Sequence, residues 1–478
     1  MRSRLTIIAQ RGTFFSSTKR CFASASSEKD QICELAASNI RFGAGSTSEI
    51  GADLREMRAR NVIVFVDPNI SHQNLPCLHT LLDSLSRNNL NVHVYDKVRV
   101  EPSDVSFKHA IDFMSNLHSS VGLDAVVALG GGSTIDTAKA ANLYTCHPPP
   151  DGDFYTYVNP VVGKGRPIPG PLLPLIAVPT TAGTGSETTG VAIFDDIPSK
   201  SKTGIAHRRL KPFLGVIDPQ NTAAIPPEVA KYSGLDVLCH SIESYTALPY
   251  NERPKPQSPL HRPAYQGSNP ISDVWSLHAL RTAAKHLSQA VRHPENVEAR
   301  SEMLLAAAAA GVGFGNAGVH LCHGMSYPVA SQVKSYVPPG YDGVDHPLVP
   351  HGHSVIVNAP SVFRYTGRAA PERHLECARI LAAARDDRGT RGTLDGMTKG
   401  SNFLASPDDA GKYLAQEIRH IMLDLDVPIG LRALGYDDDD IDELVEGTLP
   451  QHRVTKLSPR PVGREELEIL FRDALEDG

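Results

Sequence analysis

Four side chains in the second half of this 478-residue chain are of the kinds that hold a divalent metal ion. Asp236 and His240, in GLDVLCHSIE (234–243), are four residues apart, a spacing that puts both on one face of a helix. By themselves they would more often be a hydrogen-bonded pair than metal ligands. Two more imidazoles follow, His323 in CHGM (322–325) and His351 in PHG (350–352). One carboxylate and three imidazoles make a tetrahedral or open N/O set for a borderline ion such as Fe(II) or Zn(II). An ion of that kind works as a Lewis acid on an alcohol or carbonyl oxygen. The set needs no thiolate. The seven cysteines include no C-x-x-C pair and read as reduced thiols of a reducing compartment, with Cys239 and Cys322 as small packing residues.

A second group of residues suits a dinucleotide. LGGGSTIDTAK (129–139) follows an apolar run and leads into a helical pattern, so its backbone N–H groups and the helix N-terminus can receive a pyrophosphate. The same string also serves as a bare tight turn between strand and helix. Within it, Ser133 and Asp136 have capping-box spacing, which makes Asp136 a structural cap. PTTAGTGSE (179–187), again after an apolar run, offers small hydroxyl residues and glycines that line a nucleotide without crowding it. Asp67, at the end of an early strand, is placed to accept from ribose hydroxyls, and its charge disfavours a 2'-phosphate, so NAD is expected over NADP. GFGNAG (313–318) fits G-x-G-x-x-G but follows an Ala-rich helical run, so helix packing explains it better.

These groups need a scaffold with two characters. From 39 to about 221 the chain alternates short β-branched runs with helical stretches and Gly turns, the punctuation of an α/β domain. The runs 61–67, 92–98, 124–129 and 175–178 read as buried parallel strands, with 75–88 as a crossover helix. From 226 onward helical patterns dominate, at 272–291, 297–310, 372–384, 410–425 and 464–474. The expected fold is therefore an α/β dinucleotide-binding domain (28–224) with a parallel sheet, followed by an all-α metal-binding domain (225–478), joined at the proline-rich break 217–228. Three Pro- and Gly-rich stretches, 148–174, 249–270 and 331–350, read as irregular insertions.

Residues 1–27 carry five basic residues, many Ser and Thr, and no acid, the composition of a mitochondrial transit peptide. Removing them takes the net charge from −6 to −11. That balance offers no attraction to phosphate backbones, so nucleic-acid binding is not expected. The longest nearly uninterrupted apolar run, 303–315, is too short to cross a bilayer, so no membrane span is expected. Assembly into a homo-oligomer is compatible with all of these features.

The motifs GGGSTIDTAK, PTTAGTGSE, GLDVLCHSIE, CHGM and PHG, in this order across most of 40–450, resemble those of the iron-dependent (type III) alcohol dehydrogenases. The resemblance implies an active site in the cleft between the two domains, with a divalent metal, iron or zinc, on Asp236, His240, His323 and His351. It further implies NAD contacts from Gly131, Gly132, Ser133, Thr180, Thr181, Thr184 and Lys202. Two features depart from the pattern. Tyr327 stands where many members have a second histidine, four residues after His323, which removes a histidine proton relay. The 28-residue step from His323 to His351 is long and implies an inserted loop, including Asp345 and His346, beside the site.

A closer resemblance, to the branch of mitochondrial hydroxyacid-oxoacid transhydrogenases, rests on RPAYQGSNP (262–270), HLCHGMSYP (320–328), DHPLVPHG (345–352) and GTLP (447–450). It implies oxidation of 4-hydroxybutyrate to succinate semialdehyde and reduction of 2-oxoglutarate to 2-hydroxyglutarate in the mitochondrial matrix. Tightly held NAD would carry the hydride in a ping-pong cycle, with metal charge replacing a tuned carboxylate base. Both substrates are anions, and Arg253, Arg262 and Lys334 in the inserted loops are the candidate cations. The competing readings are a metal-dependent dehydrogenase that releases NADH and, from another class, a metal-dependent lyase or synthase. The second should show a basic cluster for a phosphate-bearing substrate, which the sequence lacks.

Overall fold

The computed structural model describes residues 28–341, 344, 346–387 and 407–476. The expected targeting segment at 1–27 and the loop residue Asp345 lie outside the described residues. The first half forms a six-stranded parallel sheet of β1 (Asn39–Phe42), β2 (Asn61–Val66), β3 (Asn91–Tyr95), β4 (Ala125–Gly130), β5 (Leu175–Pro179) and β8 (Leu214–Ile217), in the order β1-β8-β5-β4-β2-β3. A separate antiparallel hairpin joins β6 (Val191–Asp196) to β7 (Ser201–Ala206). The helices of this half are α1 (Ile50–Glu56), α2 (Pro68–His72), α3 (Pro76–Arg87), α4 (Asp104–Val121) and α5 (Gly132–Cys146).

The apolar runs split between two faces because side chains alternate along a strand. Val62, Val64 and Val66 join Val127, Leu129 and Ile176 on one side, while Ile63, Phe65, Val126, Ala128 and Ala177 pack with Ala110, Met114 and Ile135 from α4 and α5 on the other. Both faces are thereby covered, which is why these strands read as unbroken apolar runs. Strand order reverses between β2 and β4, whose carboxyl ends lie side by side, as Val66 pairs with Leu129 and the Asp67 N–H donates to Leu129 O at 3.1 Å. An open α/β sheet binds its ligand in the crevice at that switch point.

The second half is helical: α6 (Pro227–Thr246), α7 (Pro270–Arg292), α8 (Val297–Ala317), α9 (Leu321–Ser331), α10 (His351–Ile356), α11 (Ala359–Thr366), α12 (Pro371–Asp387), α13 (Pro407–Asp424), α14 (Ile441–Thr448), α15 (His452–Thr455) and α16 (Arg464–Glu476). α6 and α8 are buried almost all round, as sequences apolar on every side must be. GFGNAG falls at the end of α8, where Gly311 and Gly313 allow Gly185 and Ser276 to approach the helix closely. Among the described residues no single helix is long and apolar enough to cross a membrane.

Several elements differ from the expectations. β1, β8 and the β6–β7 hairpin form where the reading placed no strand, and α4 fills 104–121, opened by a capping box between Ser103 and Ser106. The expected cap Asp136 is not one. α5 begins at Gly132 with Gly131 as its N-cap, so Asp136 lies a turn inside the helix. There its carboxylate accepts from Ser186 Oγ and from the Ile193 N–H at 2.9 Å, tying the 179–187 loop and β6 to α5.

Candidate metal centre and cofactor cleft

α6 presents Asp236, His240 and Glu243 on one buried face. His323 sits in the first turn of α9, and His351 is the first residue of α10, after Pro350. The helices bring the four expected ligands together, with one donor atom from each lying within 4.8 Å of all the others. Asp236 Oδ1 is 3.6 Å from His240 Nε2, 3.4 Å from His323 Nε2 and 3.8 Å from His351 Nε2. Tetrahedral bonds of about 2.1 Å separate ligand atoms by about 3.4 Å, so the spacing fits a small divalent ion. Asp236 Oδ1 and His323 Nε2 are buried without a hydrogen-bond partner, which polar atoms tolerate where a ligand completes them.

Electrostatics point the same way. Burial pushes the Asp236 carboxyl up, but the three imidazoles outweigh it and hold the group well below the usual carboxylate range. Burial also opposes charge on His323, yet Glu243 and Asp236 raise its imidazole to about 10. Burial drives His240, which stacks on Phe314 at 3.9 Å, down to about 3. Two buried carboxylates thus demand positive charge at this point, and a divalent cation meets that demand. The Cys239 and Cys322 thiols are pushed far up by burial and stay neutral, as packing residues should.

Glu243 was not singled out from the sequence, although it lies seven residues after Asp236 on the same helix. It is fully buried and accepts the backbone N–H groups of His320, Cys322 and His323 at 2.9, 2.8 and 3.3 Å, while its second oxygen pairs with His323 Nδ1. It therefore anchors the N-terminus of α9 and holds a proton on His323 Nδ1, so that Nε2, facing Asp236, is the nitrogen that would be left for a metal.

Beside these ligands a cleft of about 570 Å³ runs from the sheet's switch point to Asp236 and His351. Of the residues named from the sequence for the cofactor, Asp67, Gly131, Gly132, Ser133, Thr180, Thr181 and Thr184 line this cleft. The two glycine-bearing loops meet there: a Cβ on Gly132 would fall 2.6 Å from Thr184 Cγ2. Asp67 also caps α2 by accepting from the Asn69 N–H at 2.8 Å. Tyr341 and Val344 of the inserted loop form part of the wall. His346, from the same loop, lines a neighbouring cavity together with Glu101 and Lys202.

A smaller cavity of about 100 Å³ adjoins the ligands and is lined by Lys202, Tyr265, Tyr327 and Arg453. Lys202 is held there between Glu101 (2.6 Å) and Asp195 (3.2 Å), so its charge is already matched. The three cations named from the sequence lie elsewhere. Arg253 and Arg262 both pair with Asp30, at 3.1 and 3.2 Å, and Lys334 pairs with Asp440 at 2.7 Å, none of them lining either cavity. A nearby carboxylate draws each of them out of the cleft. The sequence reading missed Arg453, although it stands three residues after GTLP.

The chain matches the iron-containing alcohol dehydrogenase model over residues 37–219 and the C-terminal model of the same family over 264–475. It is 56% identical over 447 residues to a Bos taurus protein named hydroxyacid-oxoacid transhydrogenase, mitochondrial, covering 93% of this chain and 90% of the relative. The Homo sapiens protein of the same name is 54% identical, with the same coverage. Among solved structures, the iron-containing alcohol dehydrogenase of Thermococcus thioreducens superposes with a TM-score of 0.72 at 25% identity, covering 93% of this chain and 99% of that one. NADH-dependent butanol dehydrogenase A of Thermotoga maritima, at 20% identity and a TM-score of 0.71, covers 94% and 100% and shares the fold. The chain belongs to the iron-containing alcohol dehydrogenase family, in its hydroxyacid-oxoacid transhydrogenase branch.

Proposed function

We propose that this protein is a mitochondrial hydroxyacid-oxoacid transhydrogenase that passes a hydride from 4-hydroxybutyrate, or a similar hydroxy acid, to 2-oxoglutarate through NAD that stays bound. The observation that carries the reading is the four-ligand cluster at the inner end of the cofactor cleft, with Asp236 and His351 lining both the cleft and the small cavity. The two relatives' names support the substrate classes and the compartment, and the basic, acid-free residues 1–27 supply a matching address.

When bound, a divalent ion on Asp236, His240, His323 and His351, iron first and zinc as the alternative, supplies a Lewis acid, and NAD supplies the hydride acceptor and donor. The chain's own groups do the positioning. Glu243 keeps the proton of His323 on Nδ1, and Phe314 fixes the plane of His240. Gly131 and Gly132, on the cleft wall, would let backbone approach the cofactor, and Asp67, on the same wall, is the group assigned to its ribose. Tyr327 Oη accepts from Arg453 at 2.7 Å and so holds a cation one helical turn beyond His323.

The reaction balances in two halves. With NAD held in the cleft, the hydroxy acid would lose a hydride to it and a proton to solvent, leaving the semialdehyde. The oxo acid then takes both back as the 2-hydroxy acid, and no nucleotide is consumed. The test is to incubate purified protein with 4-hydroxybutyrate and 2-oxoglutarate, without added nucleotide, and follow 2-hydroxyglutarate. Repeated turnover supports captive NAD. Product formed only after NAD is supplied, or accumulating free NADH, makes the protein an ordinary metal-dependent dehydrogenase.

A further inference from the structure

The small cavity beside the four clustered side chains is lined by a cation that, among the described residues, pairs with no carboxylate. Arg453, on α15, reaches it between two aromatic rings. Its Nη2 donates to Tyr327 Oη at 2.7 Å, and its guanidinium carbon lies 4.9 Å from the ring centre of Tyr265. Its Nη1 is sealed from solvent without a hydrogen-bond partner. Among the described residues no carboxylate pairs with it, whereas Lys202 in the same cavity is held between Glu101 and Asp195. A buried guanidinium with an open N–H is costly unless an anion completes it, and its planar fork suits a carboxylate.

The fold spends several contacts on this placement. Gly447, which opens GTLP, packs so tightly on α9 that a Cβ there would sit 2.7 Å from Pro328 Cβ. That contact sets α14 and the turn leading to α15 directly against the helix that carries His323 and Tyr327. Gln451 Nε2 then donates to Lys202 O at 3.1 Å and ties the turn to β7.

Resting on the proposed transhydrogenase reading, we infer that Arg453, oriented by Tyr265 and Tyr327, binds the distal carboxylate of both substrates. In 4-hydroxybutyrate the reacting carbon is separated from the carboxylate by two methylenes. In 2-oxoglutarate the carbonyl carbon is separated from the far carboxylate by two methylenes as well. One cation at one distance from the metal therefore serves both half-reactions, and a neutral alcohol finds no partner for Nη1. Tyr327, one helical turn beyond His323, becomes the positioning residue of this acid-reading pair.

The experiment compares wild type with Arg453→Met, Arg453→Lys and Tyr327→Phe, each checked for unchanged thermal unfolding and metal content. Calorimetry measures 2-oxoglutarate binding to the oxidised holoenzyme, where no hydride is available. Kinetics measure kcat/KM for 4-hydroxybutyrate against its neutral isostere 4-hydroxybutyramide. Arg453→Met should weaken 2-oxoglutarate binding and lower the acid-to-amide ratio, each on the order of 100-fold. Arg453→Lys, which keeps the charge but not the fork, should lose less, and Tyr327→Phe about tenfold. If Arg453→Met does not fold, the other two variants carry the test. A wild-type preference for the acid that persists undiminished in the variants, or an equal fall for acid and amide, overturns the assignment of Arg453 alone. A wild-type enzyme with no preference for the acid overturns the transhydrogenase reading and this inference with it.

Discussion

Replacing Glu243 by glutamine is a nearly isosteric change with a defined consequence. The carboxylate oxygens have different tasks: one accepts the backbone N–H groups of His320, Cys322 and His323 at the start of α9, and the other takes the Nδ1 proton of His323. A glutamine side chain must choose. Turning its NH₂ towards the three backbone donors leaves them unpaired in a fully buried place, at about 1 to 3 kcal/mol each, so that orientation is excluded. The amide oxygen therefore stays with the backbone, and the NH₂ faces His323 Nδ1, which must then accept. The imidazole proton moves to Nε2, the atom 3.4 Å from Asp236 Oδ1 and the one needed for the metal. Loss of such an orienting partner costs about 10- to 100-fold in metal affinity, or about 1.4 to 2.8 kcal/mol. Glu243→Gln should accordingly fold, because every backbone donor keeps its acceptor, but bind Zn(II) or Co(II) 10- to 100-fold more weakly in competition with a chromophoric chelator. Wild-type affinity in a normally folded variant would refute the tautomer argument.

Other consequences are more direct. His351→Ala removes one of the four clustered side chains, the one that opens α10 near the cleft, so turnover should vanish and bound metal fall while the unfolding temperature stays close to wild type; full activity would remove His351 from the proposed metal shell. Gly132→Ala puts a methyl group 2.6 Å from Thr184 Cγ2 and 2.8 Å from its Oγ1, and should lower the NAD content of the purified protein at least tenfold, read by absorbance after denaturation. Glu187, in PTTAGTGSE, is buried, and burial raises its carboxyl to about 7. The folded state thus keeps a proton that the unfolded chain releases, so this group makes stability fall as pH rises from about 4.5 to 7, by up to about 3 kcal/mol. Glu187→Gln lacks that loss and should gain on wild type across this window in urea unfolding; parallel pH profiles would count against it.

The fold class and the pairing of Asp236 with His240 on one helical face were legible in the chain because local rules carry them. Unbroken β-branched runs mark strands covered on both faces, as at β2, β4 and β5, and an Asp and a His four apart share a helical face wherever that helix packs. The glycine turn after β4 was legible too, because its position between strand and helix is a matter of order along the chain. Other elements were not. β6 and β7 are a short hairpin whose pairing is set by a partner strand, and α9 carries Gly324 and Pro328, which dilute any helical signal.

Which charges reach the site is decided by distance in space, which spacing along the chain does not encode. Arg253 and Arg262 sit in a segment that looked apt for an anionic substrate, yet Asp30, more than 200 residues away in sequence, holds them both. Arg453 stands 102 residues beyond His351 and 217 beyond Asp236, and it enters the cavity only because α14 and α15 dock on α9. Residue type, short-range periodicity and the co-occurring family motifs pointed to a metal and a dinucleotide here. Only the packing of helices from distant parts of the chain decided that Glu243 holds His323, that Asp136 ties loops together, and that Arg453, which pairs with no carboxylate among the described residues, lines the cavity beside Asp236 and His351. A buried charge is held or exposed by neighbours that tertiary contacts alone bring within a few ångströms.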